Sequence, residues 1–289
     1  MKPQTEPQTQ QQVDFQVRPL SHAMAAEVTG LDLSQPLDDF SREAIYDAFL
    51  SYQILVFRDQ QLSKQQQIDF SQQFGTLERH TLRNQGADTF PLVHVVSNLD
   101  ADGKPRGSMN STQWHTDKSF RPQPSMATIL HAITLPPTGG DTCFADMYSA
   151  YETLPETEKA ELDNMRVVHS WELSRENIGR PMSEEEKRDA PNTSHPLVRT
   201  HPDTGRKCLF IGTHAAYLEG LPMAAGRKRI EQLEEHATDE RFIYRHQWRP
   251  GDVLMWDNRC LLHRADQNFD AARYPRVLNR TCLRGTATQ

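Results

Sequence analysis

Residues 253–264 read VLMWDNRCLLHR. The first four form a short apolar strand, the Asp-Asn-Arg break turns the chain, and the apolar run then resumes and ends on His263. A histidine near the end of a late apolar strand, in a chain of many such strands, is the pattern on which the fold assignment rests. Outward from it, the same character holds from residue 90 onward. Segments 92–96, 126–134, 198–200, 207–211, 242–248 and 276–283 are short β-branched or alternating runs separated by Pro, Gly and Asp. Many short strands of this kind predict a barrel or sandwich, that is, a mainly β protein with flanking helices.

The helices fall outside this series. Segment 41–51 places Ile45, Phe49 and Leu50 at helical spacing, and 63–74 does the same for Ile68 and Phe74, with 54–57 as a buried strand between them. Two later helices are expected outside the β core. One follows Thr153, where Thr153 and Glu156 fit a capping box, and the other spans 222–236 with Pro at its start. The segment 172–192, which contains SRENIGRPMSEEEKRDAPN, is almost without apolar residues and reads as a lid or a solvated excursion. With no repeat and no Gly/Ser linker, residues 14–289 are expected to form a single domain behind a disordered Gln/Pro/Thr-rich tail at 1–13.

Composition narrows the function. Among 289 residues, 32 Lys and Arg stand against 39 Asp and Glu, a formal net charge of −7, so there is no general basic field for nucleic acid or an anionic bilayer. The longest apolar runs fall far short of the ~20 residues that span a bilayer, and the N-terminus lacks the pattern of a signal peptide. Four cysteines, Cys143, Cys208, Cys260 and Cys282, form no C-x-x-C pair, which argues against a zinc ribbon or a disulfide framework and for a reducing cytoplasm.

A chain with 12 histidines produces roughly one His-x-Asp by chance, and this one has two. His201-Pro-Asp203-Thr-Gly205 has the residues of a tight turn and reads as a hairpin. His115-Thr-Asp117, between Trp114 and Phe120, lacks those turn residues; in an extended segment its imidazole and carboxylate share one side. With His263 as a distant third donor they would form a 2-His-1-carboxylate facial triad, which suits non-haem Fe(II) oxygen chemistry. Two His and one carboxylate also serve catalytic zinc, and a barrel that binds a small acid without turnover would keep the same cations. Arg276 and Arg280, four residues apart, share a face of one strand, and inward-facing arginines call for anions.

WHTD at 114–117, PPTGGDT at 136–142, and WDNRCLLHR at 256–264 followed by Arg276 and Arg280 resemble the Fe(II)/2-oxoglutarate dioxygenases of the taurine dioxygenase family. The resemblance runs from about residue 17 to 283, and HPLVRTHPDTGRKCLFIGTHAAYLEGLP from His195 places it nearest the 2,4-dichlorophenoxyacetate dioxygenase branch. It implies a double-stranded β-helix (jelly-roll) core, with His115, Asp117 and His263 as iron ligands and Thr142 and Arg276 on the 2-oxoglutarate carboxylate. His80 and Arg280 would meet the acid group of the substrate. Ser111 stands where taurine dioxygenase carries an amide side chain, which weakens taurine itself as substrate. The implied reaction consumes 2-oxoglutarate and O2, hydroxylates a small anionic organic acid, and releases succinate and CO2. With an aryloxyalkanoate it cleaves the ether to a phenol; alkylsulfonates, alkyl sulfate esters or another small carboxylic acid are the alternatives. Homo-oligomers are common in the family and are expected here.

Overall fold

The strand Val253–Asp257 lies inside a sheet, paired antiparallel with Ile54–Phe57 on one side and Ser125–Thr134 on the other. The structure is a computed structural model that describes residues 14–79 and 90–289, so the expected tail at 1–13 and His80 lie outside the described residues. The full sheet has seven strands in the order Gln16–Pro19, Ala26–Thr29, Ile54–Phe57, Val253–Asp257, Ser125–Thr134, Val277–Arg284 and His94–Ser97. Only the pairing of Ala26–Thr29 with Ile54–Phe57 is parallel.

Strand alternation explains why both faces of this sheet are buried. Ile54, Val56, Leu130, Ala132, Leu254, Trp256 and Leu278 point to one side and join the main interior cluster. Leu55, Phe57, Ala127, Ile129, Val253 and Met255 point to the other, where they meet Ile45 and Phe49 of the helix Asp39–Tyr52 and Ile68 and Phe70 of Lys64–Gln72. Burial of each such side chain stabilises by roughly 1.5–3 kcal/mol. Asp38 caps the first helix by accepting from Ser41 N, and Ser63 with Gln66 makes a capping box at the second. A second sheet, Ile243–His246, Thr142–Asp146 and Leu261–Ala265, contributes Phe144, Leu261 and Leu262 to the same interior cluster. The result is a mainly β protein with flanking helices, and its inner sheet faces position the site. Among the described residues no helix is long and apolar enough to cross a membrane.

Local expectations were overturned at two places. Thr153 does not start a helix: Met147–Glu152 precedes it, and its hydroxyl donates back to Ser149 O at 2.8 Å. Pro155 occupies the cap position of Glu156–Leu162 without any side-chain cap bond. His115-Thr-Asp117 is not a strand but one bridge to His263 followed by a turn, with Lys118 in the left-handed region at φ 54°. Arg276 stands just before the strand Val277–Arg284, whose residues 277–280 keep regular register with His94–Ser97; the shift between Val277 and Leu278 puts the extra residue, Ile133, on the partner strand Ser125–Thr134. The polar segment after Trp171 is no plain loop. It carries the helices Trp171–Asn177 and Glu184–Asp189, the latter with a Ser183/Glu186 capping box, because its Ser, Glu and Lys residues suit short capped helices.

The His201 turn closes a hairpin between Val198–Thr200 and Lys207–Leu209, as the sequence indicates. Its ring does more than turn the chain. Nδ1 accepts from Asp203 N and Thr204 N at 3.2 Å each, so Nε2 is the donor to Asp257 Oδ2 at 3.0 Å. Arg259 donates to both oxygens of the same carboxylate, at 2.8 and 2.7 Å. Burial pushes the Asp257 carboxyl up, but the Arg259 charge and the His201 and Arg259 hydrogen bonds hold it well below the usual range. Because the folded value is depressed, this stability is fully present above the unfolded value near pH 3.9 and is lost as pH falls through the folded one. Asp257→Asn leaves the buried Arg259 with only the more exposed Asp203 as counter-charge and is expected to cost about 3 kcal/mol in urea unfolding at pH 7. The difference from wild type should shrink below about pH 4.

Candidate active site

The backbones of His115 and His263 are paired by two hydrogen bonds, His115 N to His263 O at 3.0 Å and His263 N to His115 O at 2.8 Å. That bridge joins two segments far apart in sequence and sets the ring centroids 4.1 Å apart. Gly212 makes room for it: a Cβ there would lie 3.1 Å from Trp114 O and 3.3 Å from His115 Cα, and its φ of 112° suits glycine. His115 Nδ1 faces Gln113 O at 2.8 Å, which leaves Nε2 to point at Asp117 Oδ1, 4.0 Å away. His263 Nε2 lies 3.9 Å from Asp117 Oδ2.

These three side chains form one of two buried groups among the described residues whose donors lie within 4.8 Å of one another. Burial pushes both imidazoles down, His263 well below its usual value, so at neutral pH they present free nitrogen lone pairs. Burial also pushes the Asp117 carboxyl up, yet Arg280, the two histidines and the Thr128 hydroxyl together hold it well below the usual carboxylate range. Two neutral imidazoles and one ionised carboxylate fit a divalent metal and leave further coordination positions open. The other group, His201, Asp257 and Cys260, does not fit one. Asp257 is already taken by Arg259 and His201, and burial drives the Cys260 thiol well above its ordinary value.

A cavity of about 480 Å³ opens on His115 and Asp117, with His263 behind them rather than in its lining. Its lining includes His115, Asp117, Arg280 and Ser111, four of the residues singled out in the sequence. Arg280 Nη1 reaches Asp117 Oδ1 at 3.3 Å, while its buried Nε has no partner among the described residues. Thr142 and Arg276 also come together, with Arg276 Nη2 donating to Thr142 Oγ1 at 3.3 Å, but they do not line this cavity. Thr142 pairs with Ala265, two residues beyond His263 on the neighbouring strand, so the pair sits one pleat from the triad. Thr142 Oγ1 also accepts from Trp248 Nε1 at 3.0 Å, which leaves its own proton to donate. Burial brings Arg276 down to about 10, and among the described residues no carboxylate stands within ion-pair distance of it. Gly140, at φ 73°, lets the chain pass; a Cβ there would meet the Arg276 side chain at 3.2 Å.

Several cavity residues were not legible in the sequence. Phe120 stacks on Trp171 with centroids 5.1 Å apart and planes within 8°, which gives the cavity an aromatic wall. His214, held by Ser119 Oγ at 3.1 Å, is pushed by burial down to about 3 and faces the same space as a neutral ring. The polar segment supplies Trp171, Arg175, Ile178 and Arg180 to the lining, and Arg180 donates to Asn110 across it at 3.0 Å. The segment is thus a wall of the cavity. A larger hollow of about 600 Å³ behind residues 112–114 contains none of the triad.

Comparison with known proteins matches residues 16–282 to a family model described as taurine catabolism dioxygenase TauD, TfdA family. The chain is 41% identical to the alpha-ketoglutarate-dependent 2,4-dichlorophenoxyacetate dioxygenase of Cupriavidus pinatubonensis, over 88% of this chain and 93% of that one. It is 33% identical to an alkylsulfatase of Acinetobacter baylyi, over 95% and 86% of the two chains. It superposes with a TM-score of 0.85 and 35% identity on the crystal structure of AAD-2 in complex with Mn(II) and N-oxalylglycine, covering 96% of this chain and 98% of that one.

Proposed function

The chain belongs to the TauD/TfdA dioxygenase family, and from that premise we propose that it is an Fe(II)-dependent oxygenase whose substrate is an aryloxyalkanoate, oxidised with 2-oxoglutarate and O2 as cosubstrates. The reading rests on one observation above all. His115, Asp117 and His263 converge at the end of a cavity that also presents a guanidinium, Arg280, and an aromatic wall, Phe120 and Trp171. In this reading the three converging residues hold Fe(II), and Thr142 and Arg276 hold the distal carboxylate of 2-oxoglutarate. Arg280 and Ser111 hold the acid end of the substrate, and the aryl ring lies against Phe120 and Trp171. A jelly-roll arrangement of the two inner sheets, a single domain and a cytoplasmic location belong to the same reading; four buried free cysteines support the last.

Loaded with Fe(II), 2-oxoglutarate and O2, such a site replaces one substrate C–H by C–OH while 2-oxoglutarate leaves as succinate and CO2. The chain's own residues decide which C–H is exposed. Arg280 fixes the carboxylate, so the carbon beside it is the one presented to the triad. Hydroxylation of that carbon in an aryloxyacetate yields a hemiacetal, which breaks into a phenol and glyoxylate. Trp171, Ile178 and Arg180 cover the cavity and limit water.

Succinate release from 2-oxoglutarate under air with Fe(II) is the test, across phenoxyacetates, phenoxypropionates, taurine and alkyl sulfates. Succinate with an equal yield of phenol from a phenoxy acid is expected. Succinate with sulfate esters alone would move the substrate to the class named for the Acinetobacter relative, and no substrate-dependent succinate would sink the oxygenase reading.

A further inference from the structure

Asp117 is held from behind by a chain of three buried hydrogen bonds whose direction is fixed. Trp256 Nε1 has only a proton to offer and gives it to Asn258 Oδ1 at 3.0 Å. That leaves the Asn258 amide nitrogen to donate, and it gives to Thr128 Oγ1 at 2.9 Å. With Oγ1 already accepting, the Thr128 proton goes to Asp117 Oδ2, 2.6 Å away, since an ionised carboxylate can only accept. The Cys282 thiol, 3.7 Å from Thr128 Oγ1, is a weak partner by comparison. Thr128, Trp256 and Asn258 are each at most 1% exposed.

The relay ends on Asp117. Thr128 and Trp256 are cross-strand partners on the inner sheet face, where Leu130, Leu254 and Leu278 are apolar. Asn258 also holds the neighbouring backbone: Thr116 Oγ1 donates to its carbonyl at 2.7 Å, and Asp117 N approaches its Oδ1 at 3.4 Å. One asparagine therefore ties the segment with the first two triad residues to the segment leading into the third.

We propose that Thr128 is a positioning residue for Asp117, its proton driven onto Oδ2 by the Trp256–Asn258 relay so that the carboxylate is locked in one plane and would offer a metal Oδ1, the oxygen that Arg280 Nη1 approaches more loosely at 3.3 Å. The inference rests on the triad reading above. With Oδ2 held at 2.6 Å by Thr128 the carboxylate would not rotate to chelate, and the ligand is ordered before a metal arrives. Groups of this kind typically contribute 10–100-fold to metal affinity.

The experiment is Mn(II) and Co(II) titration of the purified, metal-stripped full chain, by equilibrium dialysis, in wild type, Thr128→Val and Thr128→Ser, each checked for folding by circular dichroism. Thr128→Val is expected to weaken metal binding about 10–100-fold, and Thr128→Ser, which keeps the hydroxyl, to restore most of it. Should the valine variant not fold, Thr128→Ala removes the same oxygen with less bulk and carries the same expectation. Wild-type affinity in the hydroxyl-free variant overturns the proposal. So does a serine variant as weak as the valine one, since packing and not the hydroxyl would then be responsible. Absence of metal binding in wild type itself would instead bring down the triad reading.

Discussion

Asp117→Ala is expected to remove metal-dependent turnover altogether, a loss well beyond the roughly 100-fold that removal of an outer partner costs. The reason is electrostatic as much as geometric. Asp117 is the negative charge of the triad, and Arg280 stands 3.3 Å from its Oδ1. Without the carboxylate, two neutral imidazoles beside an uncompensated guanidinium would repel a divalent cation. His115→Ala and His263→Ala are expected to fail for the simpler reason that two donors remain of three. The fold should survive these histidine changes, because the bridge between the two segments is made by backbone atoms, at 3.0 and 2.8 Å. Metal titration and single-turnover succinate formation check all three variants. Full activity in any one would remove that residue from the site.

The two arginines should separate. Arg276→Ala is expected to raise the 2-oxoglutarate requirement by about 10- to 100-fold with a smaller effect on substrate, and Arg280→Ala to do the reverse, each losing charge-assisted hydrogen bonds to a carboxylate. The structure gives them different surroundings. Arg276 is 3% exposed, donates to Gly140 O at 2.7 Å and reaches Thr142; Arg280 lines the triad cavity. Because Arg276 also braces the Gly140 turn, Arg276→Lys is the needed companion: it keeps the charge and loses the fork. Steady-state kinetics with each cosubstrate varied in turn reads the split. Equal effects on both KM values would show that the division of roles is wrong.

Much of the candidate site could be read from local sequence. His115, Asp117 and His263 lie in the stretches WHTD and WDNRCLLHR that carry the family resemblance, and the hairpin at His201 follows from Pro-Asp-x-Gly alone. The reasoning from strand parity was less sound. It took His115-Thr-Asp117 as extended, whereas the segment is one bridge followed by a turn, so strand parity is not what brings that imidazole and carboxylate together. The helix start at Thr153 failed similarly, because a capping-box pattern says nothing about a helix that has just ended. His80, expected at the substrate's acid group, lies outside the described residues.

The sequence by itself determined the element types of the strongly periodic segments and their inward-facing residues, because periods of 2 and 3.6 are properties of neighbouring residues. It also determined the donor chemistry of the triad and the anion-seeking character of the two arginines. Only the tertiary structure decided that Thr128 meets Asp117 through Asn258, that Trp171 stacks on Phe120, that His214 faces the triad cavity, and that His201 serves Asp257. Each of these depends on which strand lies beside which and in what register. A shift of one residue would turn Thr128 from the site to the helices, and no local pattern in the chain specifies that register; it is set by the simultaneous packing of both sheet faces.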